Sequence, residues 1–553
     1  MIKYIKKNYI QIIIAVAIAM ISSLFFIIKP LEVYPADDLP FHLNRIEGIV
    51  DAIRDGQILP KLYPFSNYEF GYASPLFYCD LFFYPFAFLY FLGVPLIICY
   101  KIMQIVIAIA TSIIVYVLSK KVFRKDTTSL LIVALYMLSN YRFCDVYYRC
   151  AMGELLAFMI LPLAIYAIYK VLYLRKNSFI LLGVSFSLLV MSHLITSVLL
   201  AIIFLFFIVV FIIKHIKERN VIKDCLITIS KATIIGLLLC SWFILPMVEQ
   251  FRNQIFYVNV FSKSDNGLKG YVLLKDAISS NPRHFSFGLI LPLMSLTYLF
   301  SKRNRLITTI YLLSIFFFAL ALNIIPFPSI LSFIQFSFRL FIVILPLLCI
   351  VIGYSFNCID SNKISKGLLI ALLSIVIVKY FYLFYFYSKG KFIEMKNIND
   401  NSVLFVDEYS DMYYDHARLG GGEYLPVCNN EDFSVDDRGI VISNLSGMVT
   451  GEIYNYDRYF SQIVFDYKGE EGFASLPLTY YKGYKAYCDN IGIDCVNDEV
   501  FKKVGLYLKN GDHTYKVKYE GTWVQHSSLV ISVLTLIILL VDYIRKARYL
   551  NDN

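Results

Sequence analysis

Two adjacent carboxylates, Asp37 and Asp38, follow the first apolar run of the chain. Pro35 keeps the backbone extended before them, and His42 lies four residues after Asp38, one helical turn further on. A carboxylate at a membrane face suits a general base, which takes the proton of an acceptor hydroxyl. Two carboxylates also suit a divalent cation, and an Asp here commonly caps a helix. We take Asp38, Asp37 and His42 as candidate catalytic residues, with helix capping as the structural alternative.

Polar groups also border three later apolar runs. Charged groups at such depth are costly and are usually paired or functional. An arginine guanidinium suits the oxygens of a lipid phosphate, because its planar fork matches them. The structural alternatives are an Arg–Glu or Arg–Asp pair, a buried histidine with satisfied hydrogen bonds, and an arginine that reaches lipid head groups. The candidate phosphate- or substrate-binding residues are Arg149, Glu154, His193, Gln335 and Arg339.

These residues require membrane-spanning helices to position them. The chain has 553 residues, of which 58% are hydrophobic and 17% charged. Soluble chains are about 45–50% apolar and about 25% charged, so this chain is too apolar to be mostly soluble. A span needs about 20 apolar residues, and the sequence offers about twelve candidate runs. The predicted spans are 9–28, 95–118, 127–141, 154–174, 178–192, 194–213, 225–245, 285–300, 306–322, 338–356, 367–387 and 527–544.

The basic residues between the apolar runs set the predicted orientation. Lys3, Lys6 and Lys7 precede the first span and place the N-terminus in the cytoplasm. Every later basic cluster then falls on the cytoplasmic side, as does the C-terminal tail. Topology thus accounts for the net charge of +10, and nucleic acid is not an expected partner. We expect a multi-pass plasma-membrane protein that contacts the lipid bilayer along most of its length.

The loops between the spans give the predicted domain layout. An aromatic stretch in the first outer loop (29–94), at 76–92, is interpreted as an interfacial or re-entrant helix, because a span there would reverse the basic clusters. The polar segment 388–526 contains β-branched and aromatic runs between turn residues. The sequence therefore predicts a polytopic α-helical membrane domain at 1–387, then a small extracytoplasmic β-rich domain. A final span and basic tail follow at 527–553.

The 11 cysteines show no CxxC pair and no Cys/His ligand spacing, so no metal site and no cofactor are predicted. Cys428, Cys488 and Cys495 fall in the polar segment, and a disulfide among them is left open. With the predicted topology, all candidate site residues reach the outer membrane face. A base and cations at one interface are what sugar transfer from a polyprenyl phosphate needs.

Several short motifs, in this order along the chain, resemble the GT-C superfamily of glycosyltransferases. The first loop carries DLPFHLNRIEG from Asp38 to Gly48. The closer resemblance is to bacterial membrane proteins of the YfhO type, often catalogued as 6-pyruvoyl-tetrahydropterin synthase-related, although nothing here supports pterin chemistry. The further matching segments are RCAMGE at 149–154, SH at 192–193, WFILP at 242–246, QFSFR at 335–339 and GEYLP at 422–426.

This resemblance implies a GT-C-like fold with a catalytic Asp in the first outer loop. It implies a polyprenyl-phosphate-linked monosaccharide as donor and a cell-envelope glycopolymer, such as teichoic acid or another surface polysaccharide, as acceptor. On the matching motif, Asp38 is the expected base and Asp37 a weaker candidate. Arg45, in the same motif, is a further substrate-binding candidate. Arg149 and Arg339 are the donor-phosphate candidates.

Two departures from the family pattern stand out. Ser337 and Phe338 occupy positions where relatives often carry Pro and Trp, and the first loop has no DxD metal motif. The second departure argues against a bound metal. Three other functions stay open: a transporter or flippase for a lipid-linked sugar, a ligase that moves a whole glycan, and a structural scaffold. A transporter should place polar residues near mid-bilayer in two matched halves, which this sequence does not do.

Overall fold

The computed structural model describes residues 7–34, 36–261, 287–358, 362–390, 393–394, 422–428, 440–443, 451–459 and 461–551. The sequence features at Lys3, Lys6, Pro35 and Gly420 lie outside these residues. The chain forms two compact units, and neither is continuous in sequence. The first comprises Met1–Leu39, Ile97–Leu237 and Ser262–Lys396, and the second comprises Pro40–Leu96, Leu238–Phe261 and Asn397–Asn553. The unit that contains the β-sheets therefore also includes parts of the first outer loop.

Helices dominate the described chain, because a helix satisfies its own backbone polar groups where lipid offers no partner. The α-helices are α1 (Tyr9–Ser22), α2 (Leu24–Ile28), α3 (Leu39–Arg54), α4 (Tyr84–Phe91), α5 (Leu96–Phe123), α6 (Asp126–Met137), α7 (Asn140–Cys144), α8 (Met152–Leu172), α9 (Phe179–Ser192), α10 (Leu194–Lys214), α11 (Arg219–Asn253), α12 (Tyr257–Phe261), α13 (Ile290–Ser295), α14 (Arg305–Ala321), α15 (Phe341–Asn357), α16 (Asn362–Ser388) and α17 (Trp523–Asn551). Short 3-10 turns occur at Ser74–Leu76, Leu296–Phe300, Ser329–Ile334 and Ser337–Leu340.

Seven helices in the described ranges are long and apolar enough to cross a membrane, and five shorter apolar helices lie at other predicted spans. The prediction of a multi-pass α-helical membrane protein is confirmed at this level. The count of about twelve spans and the orientation stay predictions. Helix α4 has eight residues and is about 12 Å long, too short to span a bilayer. The seven are Leu96–Phe123, Met152–Leu172, Leu194–Lys214, Arg219–Asn253, Ser337–Asn357, Gly367–Ser388 and Trp523–Ala547.

A short π-helical turn joins α7 to α8 and contributes to the candidate site. Ser139 caps α7, because its hydroxyl accepts a bond from the Arg142 N–H. The chain continues as a π-helical turn, Asp145–Arg149, and then reverses at Cys150, whose φ of 54° lies in the left-handed region. Helix α8 begins two residues later. This wide turn brings the carbonyls of its last residues to the surface that receives the first loop.

Strands form the β-sheet domain that the polar segment predicts. Along β5, Ile463, Phe465 and Tyr467 are buried in alternation with more exposed residues, the period-2 pattern of a half-buried strand. All pairings are antiparallel, with sheet orders β3-β6-β10-β9, β4-β5-β11-β7-β8 and β1-β2. The strands are β1 (Glu32–Val33), β2 (Ile393–Glu394), β3 (Val441–Ser443), β4 (Gly451–Tyr459), β5 (Gln462–Gly469), β6 (Gly472–Thr479), β7 (Tyr484–Cys488), β8 (Ile491–Ile493), β9 (Val496–Asn497), β10 (Lys503–Leu508) and β11 (Gly511–Tyr519).

Candidate active site

The two first-loop carboxylates are attached to the turn that precedes α8. The Asp37 N–H donates to the Tyr148 carbonyl at 3.3 Å, and the Asp38 N–H donates to the Arg149 carbonyl at 2.8 Å. Helix α3 then starts at Leu39. Backbone bonds of this kind fix the position of Asp38 whatever its own side chain does. They bring the first loop and Arg149, far apart in sequence, into one place.

A buried lysine supports the loop that leads to these carboxylates. The Lys101 ammonium on α5 donates to the carbonyls of Lys29 and Glu32, at 2.5 and 2.6 Å. Lys101 is only 3% exposed, and a buried charge is tolerated when it is fully hydrogen-bonded. The lysine therefore joins the end of the first apolar segment to α5.

Arg149 is the centre of an ion-pair network. One of its terminal nitrogens lies 2.5 Å from Asp145 Oδ1, and the other lies 2.8 Å from Glu154 Oε1. The Tyr141 hydroxyl donates to the second oxygen of Glu154 at 2.6 Å. The Phe338 ring centroid lies 5.0 Å from the guanidinium carbon. With both acids buried, the guanidinium is held rigidly rather than free to swing.

Arg339 approaches the same glutamate from the segment before α15. Its Nε lies 3.5 Å from Glu154 Oε1. Its Nη1 donates to the Ile334 carbonyl at 3.2 Å and to the Gln335 side-chain oxygen. Gln335 has φ of 66°, a region that residues with a side chain seldom occupy. Within the described ranges, the buried Arg339 Nε has no hydrogen-bond partner and faces Glu154, whereas the Arg339 side chain as a whole is 15% exposed.

His193 ends α9 and begins α10, and it borders the same charges. Its Nδ1 lies 2.7 Å from the Thr196 hydroxyl. Burial lowers the pKa of His193 to about 4; the Arg339 and Arg149 charges act in the same direction, and the Glu154 carboxylate opposes them. The imidazole is therefore neutral near pH 7. A neutral imidazole offers a hydrogen bond to a ligand but adds no charge.

The electrostatics of Asp38 suit a base. Its side chain is half-buried, whereas that of Asp37 is exposed. Burial raises the pKa of Asp38 to about 6, the Arg149 and Arg339 charges lower it, and the Asp37 and Glu154 carboxylates raise it. A carboxyl with this pKa is mostly ionised at neutral pH, yet it is more basic than an ordinary aspartate.

The structure thus joins five sequence-predicted residues in one connected cluster. The Gln335 side chain accepts a hydrogen bond from one of them, Arg339. The Arg149–Asp145 ion pair agrees with the Arg–Asp pair that the sequence offered as a structural alternative, whereas the Tyr141 contact was not predicted. Asp145 stands four residues before Arg149, a helical spacing that the sequence already contained. Tyr141 carried no comparable signal. The five are Asp38, Arg149, Glu154, His193 and Arg339.

His42 and Arg45 belong to a second network, inside the other compact unit. Arg45 Nε lies 2.7 Å from Asp80 Oδ1, Nη2 donates to the Cys79 carbonyl at 2.7 Å, and Nη1 lies 3.2 Å from His42 Nδ1. The Tyr63 hydroxyl donates to the second Asp80 oxygen at 2.5 Å. Arg45 and His42 are each 1% exposed. These contacts support a structural role for both residues, and the catalytic and substrate-binding roles predicted for them stay predictions.

An apolar cavity of about 390 Å³ lies among the helices of the first unit. Its lining begins at Leu161, seven residues and about 10 Å along α8 from Glu154. On α15 it begins at Val343, four residues after Arg339. It continues along the helices to Tyr354, so it runs lengthwise away from the polar cluster. Other lining residues are Tyr169, Leu200, Ile307 and Pro346.

Comparisons with known proteins give no family assignment. No protein-family profile matches the chain. An uncharacterised protein of Lactococcus lactis subsp. cremoris is 25% identical over 232 residues, which is 41% of this chain and 38% of the relative. The chain therefore spans well under half of the curated relative that it matches.

Two solved structures resemble the fold in part. The cryo-EM structure of the arabinofuranosyltransferase AftD from Mycobacteria is 11% identical with a TM-score of 0.40, over 69% of this chain and 27% of that chain. A point mutant of AftD is 12% identical with a TM-score of 0.42, over 68% of this chain and 28% of the other. The YfhO-type resemblance stays a prediction.

Proposed function

We propose that this protein is a GT-C-type glycosyltransferase. In this proposal it moves a monosaccharide from a polyprenyl-phosphate donor to a cell-envelope acceptor, teichoic acid or another surface polysaccharide, on the outer membrane face. The observation that carries the proposal is the position of Asp38, a carboxyl with a pKa near 6, beside a cluster that contains two arginines. A base and a phosphate-binding cation are the two groups that this reaction needs.

The base acts on the acceptor. The Asp38 carboxylate takes the proton of an acceptor hydroxyl while its oxygen attacks the anomeric carbon of the donor sugar. A new C–O bond forms as the bond from the anomeric carbon to the phosphate oxygen breaks, and its electron pair leaves with the phosphate. The products are the glycosylated acceptor and polyprenyl phosphate. Burial favours this role, because it raises the basicity of Asp38.

The cation stabilises the leaving phosphate. Arg339 fits this task best, because its side chain is 15% exposed, whereas that of Arg149 is 6% exposed. Glu154 and Gln335 hold this guanidinium in place. Arg149 already binds Asp145 and Glu154, so it fixes the cluster and adds positive charge. A preorganised cation lowers the energy of a developing phosphate charge without moving during the reaction.

The apolar cavity suits the lipid part of the donor. It begins about one to two helical turns from Arg339 and Glu154 and runs along the helices. An amphiphile with a phosphate at the arginine therefore directs its apolar chain along this cavity. That arrangement supports a lipid-linked donor over a water-soluble sugar nucleotide.

The test is envelope glycan analysis in a strain from which the gene is deleted. We expect a sugar substituent to disappear and to return with the wild-type gene. It should not return with Asp38→Asn, although that variant inserts at the normal level, because an amide cannot accept the proton. Asp224→Asn, which removes an exposed carboxylate on α11, is the matched control and should restore the substituent. Full restoration by Asp38→Asn would exclude Asp38 as the base, and an unchanged glycan on deletion would contradict the proposed activity.

A transporter or flippase is the alternative from another class. It predicts loss of the lipid-linked sugar from one leaflet, with transfer intact when the donor is supplied on the outer side. The purified protein separates the two functions. A transferase converts polyprenyl-phosphate sugar and acceptor to product in detergent, where no second compartment exists, whereas a flippase does not.

A further inference from the structure

The turn between β7 and β8 is held firmly against β11. Cys488 ends β7, and Asp489 and Asn490 form the turn with φ of 50° and 68°. The Asp489 N–H donates to the Thr514 carbonyl at 2.9 Å, and the Thr514 N–H donates to Asp489 Oδ1 at 3.0 Å. These two bonds fix the aspartate and leave its other oxygen, Oδ2, facing His513.

Three atoms of the kinds that bind transition metals meet at this turn. Cys488 Sγ, an Asp489 oxygen and a ring nitrogen of His513 all lie within 4.8 Å of one another. His513 Nδ1 is 2.7 Å from Asp489 Oδ2, and Cys488 Sγ is 3.8 Å from the same oxygen. No other group of three His, Cys, Asp or Glu side chains in the described part of the chain is close enough to hold a metal ion.

The contact made by the second ring nitrogen of His513, Nε2, indicates which tautomer the ring adopts. Its Nε2 lies 3.0 Å from the Asn510 carbonyl, which can only accept, so Nε2 carries a hydrogen. In the neutral ring, Nδ1 then carries no hydrogen, and its lone pair faces the carboxylate Oδ2. Two acceptors at 2.7 Å repel each other unless a proton or a metal ion lies between them. Metal-binding histidines commonly donate their other N–H to a backbone carbonyl, as here.

We propose that Cys488, Asp489 and His513 bind a zinc ion. Thiolate, imidazole and carboxylate are the ligands that zinc prefers, and their spacing at a tetrahedral ion is about 3–4 Å. The sulfur–oxygen separation of 3.8 Å already fits such an ion, whereas the nitrogen–oxygen separation of 2.7 Å must widen by about 0.6 Å. Cys488 is buried, whereas Asp489 and His513 are partly exposed, so the fourth position opens to solvent. The ion ties the turn to β11.

The ordinary alternative is an ion pair between Asp489 and a protonated His513. It explains the short Asp489–His513 distance, and the Cys488 thiol then donates a hydrogen bond to the same carboxylate and packs in the core. A test must therefore observe the sulfur. Cobalt(II) serves for this purpose, because it replaces zinc in such sites and a cobalt–thiolate bond produces a charge-transfer absorption band in the near ultraviolet.

The experiment uses the full-length protein, purified in detergent and stripped with a chelator. We expect one equivalent of Co²⁺ to produce the thiolate band and Zn²⁺ to remove it. Cys488→Ser should abolish the band, whereas Cys495→Ser, which removes a partly buried cysteine of the same domain, should keep it. No band in the wild type, or a band that survives Cys488→Ser, would overturn the proposal.

A second variant guards against misfolding of Cys488→Ser. His513→Gln keeps the thiol, and its side chain is only partly buried, so the strand signal in circular dichroism should be preserved. We expect Co²⁺ affinity to fall at least about ten-fold, since loss of an outer-shell contact alone weakens binding by about 10–100-fold. Unchanged affinity in this variant would leave the ion pair as the better explanation.

Discussion

Replacement of Arg339 by glutamine should move the pH dependence of catalysis as well as weaken donor binding. Asp38 must be ionised to act as a base, so the rate should rise as pH rises through its pKa of about 6. A group with that pKa is about 10% ionised at pH 5 and about 90% at pH 7, which predicts a nearly ten-fold rise in kcat/KM for the wild type. The Arg339 charge lowers the pKa of Asp38, so its removal should raise that pKa.

The size of this shift follows from the two neighbouring cations. Arg149 contributes the larger effect on Asp38 and Arg339 the smaller. An opposite charge nearby changes a carboxyl pKa by about 1–3 units, so we expect about one unit for Arg339→Gln. At pH 7 the ionised fraction of Asp38 then falls from about 90% to about 50%. The midpoint of the kcat/KM profile should move from near pH 6 to near pH 7.

The assay measures kcat/KM for the donor from pH 4.5 to 8.5, with the sugar and acceptor that the glycan comparison identifies. This ratio reports the ionisation of Asp38 in the free enzyme, and a weaker phosphate site lowers the whole profile without moving its midpoint. Arg545→Gln, which removes an exposed arginine near the C-terminus, is the control and should leave the profile unchanged. A wild-type profile without a limb near pH 6 would refute the role of Asp38. If the midpoint in Arg339→Gln stays near pH 6 or falls, the electrostatic link between Asp38 and Arg339 is refuted.

The remaining predictions concern the buried networks, with stability measured by thermal unfolding in detergent. Glu154→Gln should cost about 3–5 kcal/mol, because it removes the buried carboxylate that pairs with both Arg149 and Arg339 and leaves Asp145 to balance the Arg149 charge. Tyr141→Phe, which removes only one hydrogen bond to Glu154, should cost about 1 kcal/mol, and equal losses in the two variants would contradict this difference. Asp80→Asn should also cost about 3–5 kcal/mol, since it leaves the Arg45 guanidinium buried without its counter-ion; a near-neutral effect would mean that Arg45 has another acceptor.

Much of the architecture could be predicted because membrane helices obey a simple rule of length and hydropathy. The predicted runs 95–118 and 194–213 appear as Leu96–Phe123 and Leu194–Lys214, within a few residues. The division into compact units could not be predicted, because it depends on contacts distant in sequence. Residues 40–96, predicted as part of the membrane domain, belong to the unit with the β-sheets.

Only part of the candidate site could be predicted from the sequence. A costly charge beside an apolar run marks Arg149, Glu154 and Arg339 as exceptional, whatever their partners are. The sequence did not distinguish Arg45 from these residues, although its guanidinium contacts Asp80 and is almost inaccessible. Access depends on packing around the side chain, and sequence spacing carries no information about it. The metal-type cluster at Cys488 was missed for a related reason, since β-pairing joins ligands that are distant in the chain.

The contrast between the two arginines also bears on how such a site can be both stable and reactive. Arg149 contacts two buried acids, and this arrangement repays the cost of burying its charge. Arg339 shares one of those acids at the longer distance of 3.5 Å, and its side chain is more exposed than that of Arg149. An entering phosphate therefore gains a donor at Arg339 without breaking a bond that holds the fold, whereas at Arg149 it must compete with Asp145 and Glu154. Phosphate affinity should thus depend on Arg339, and stability on Arg149.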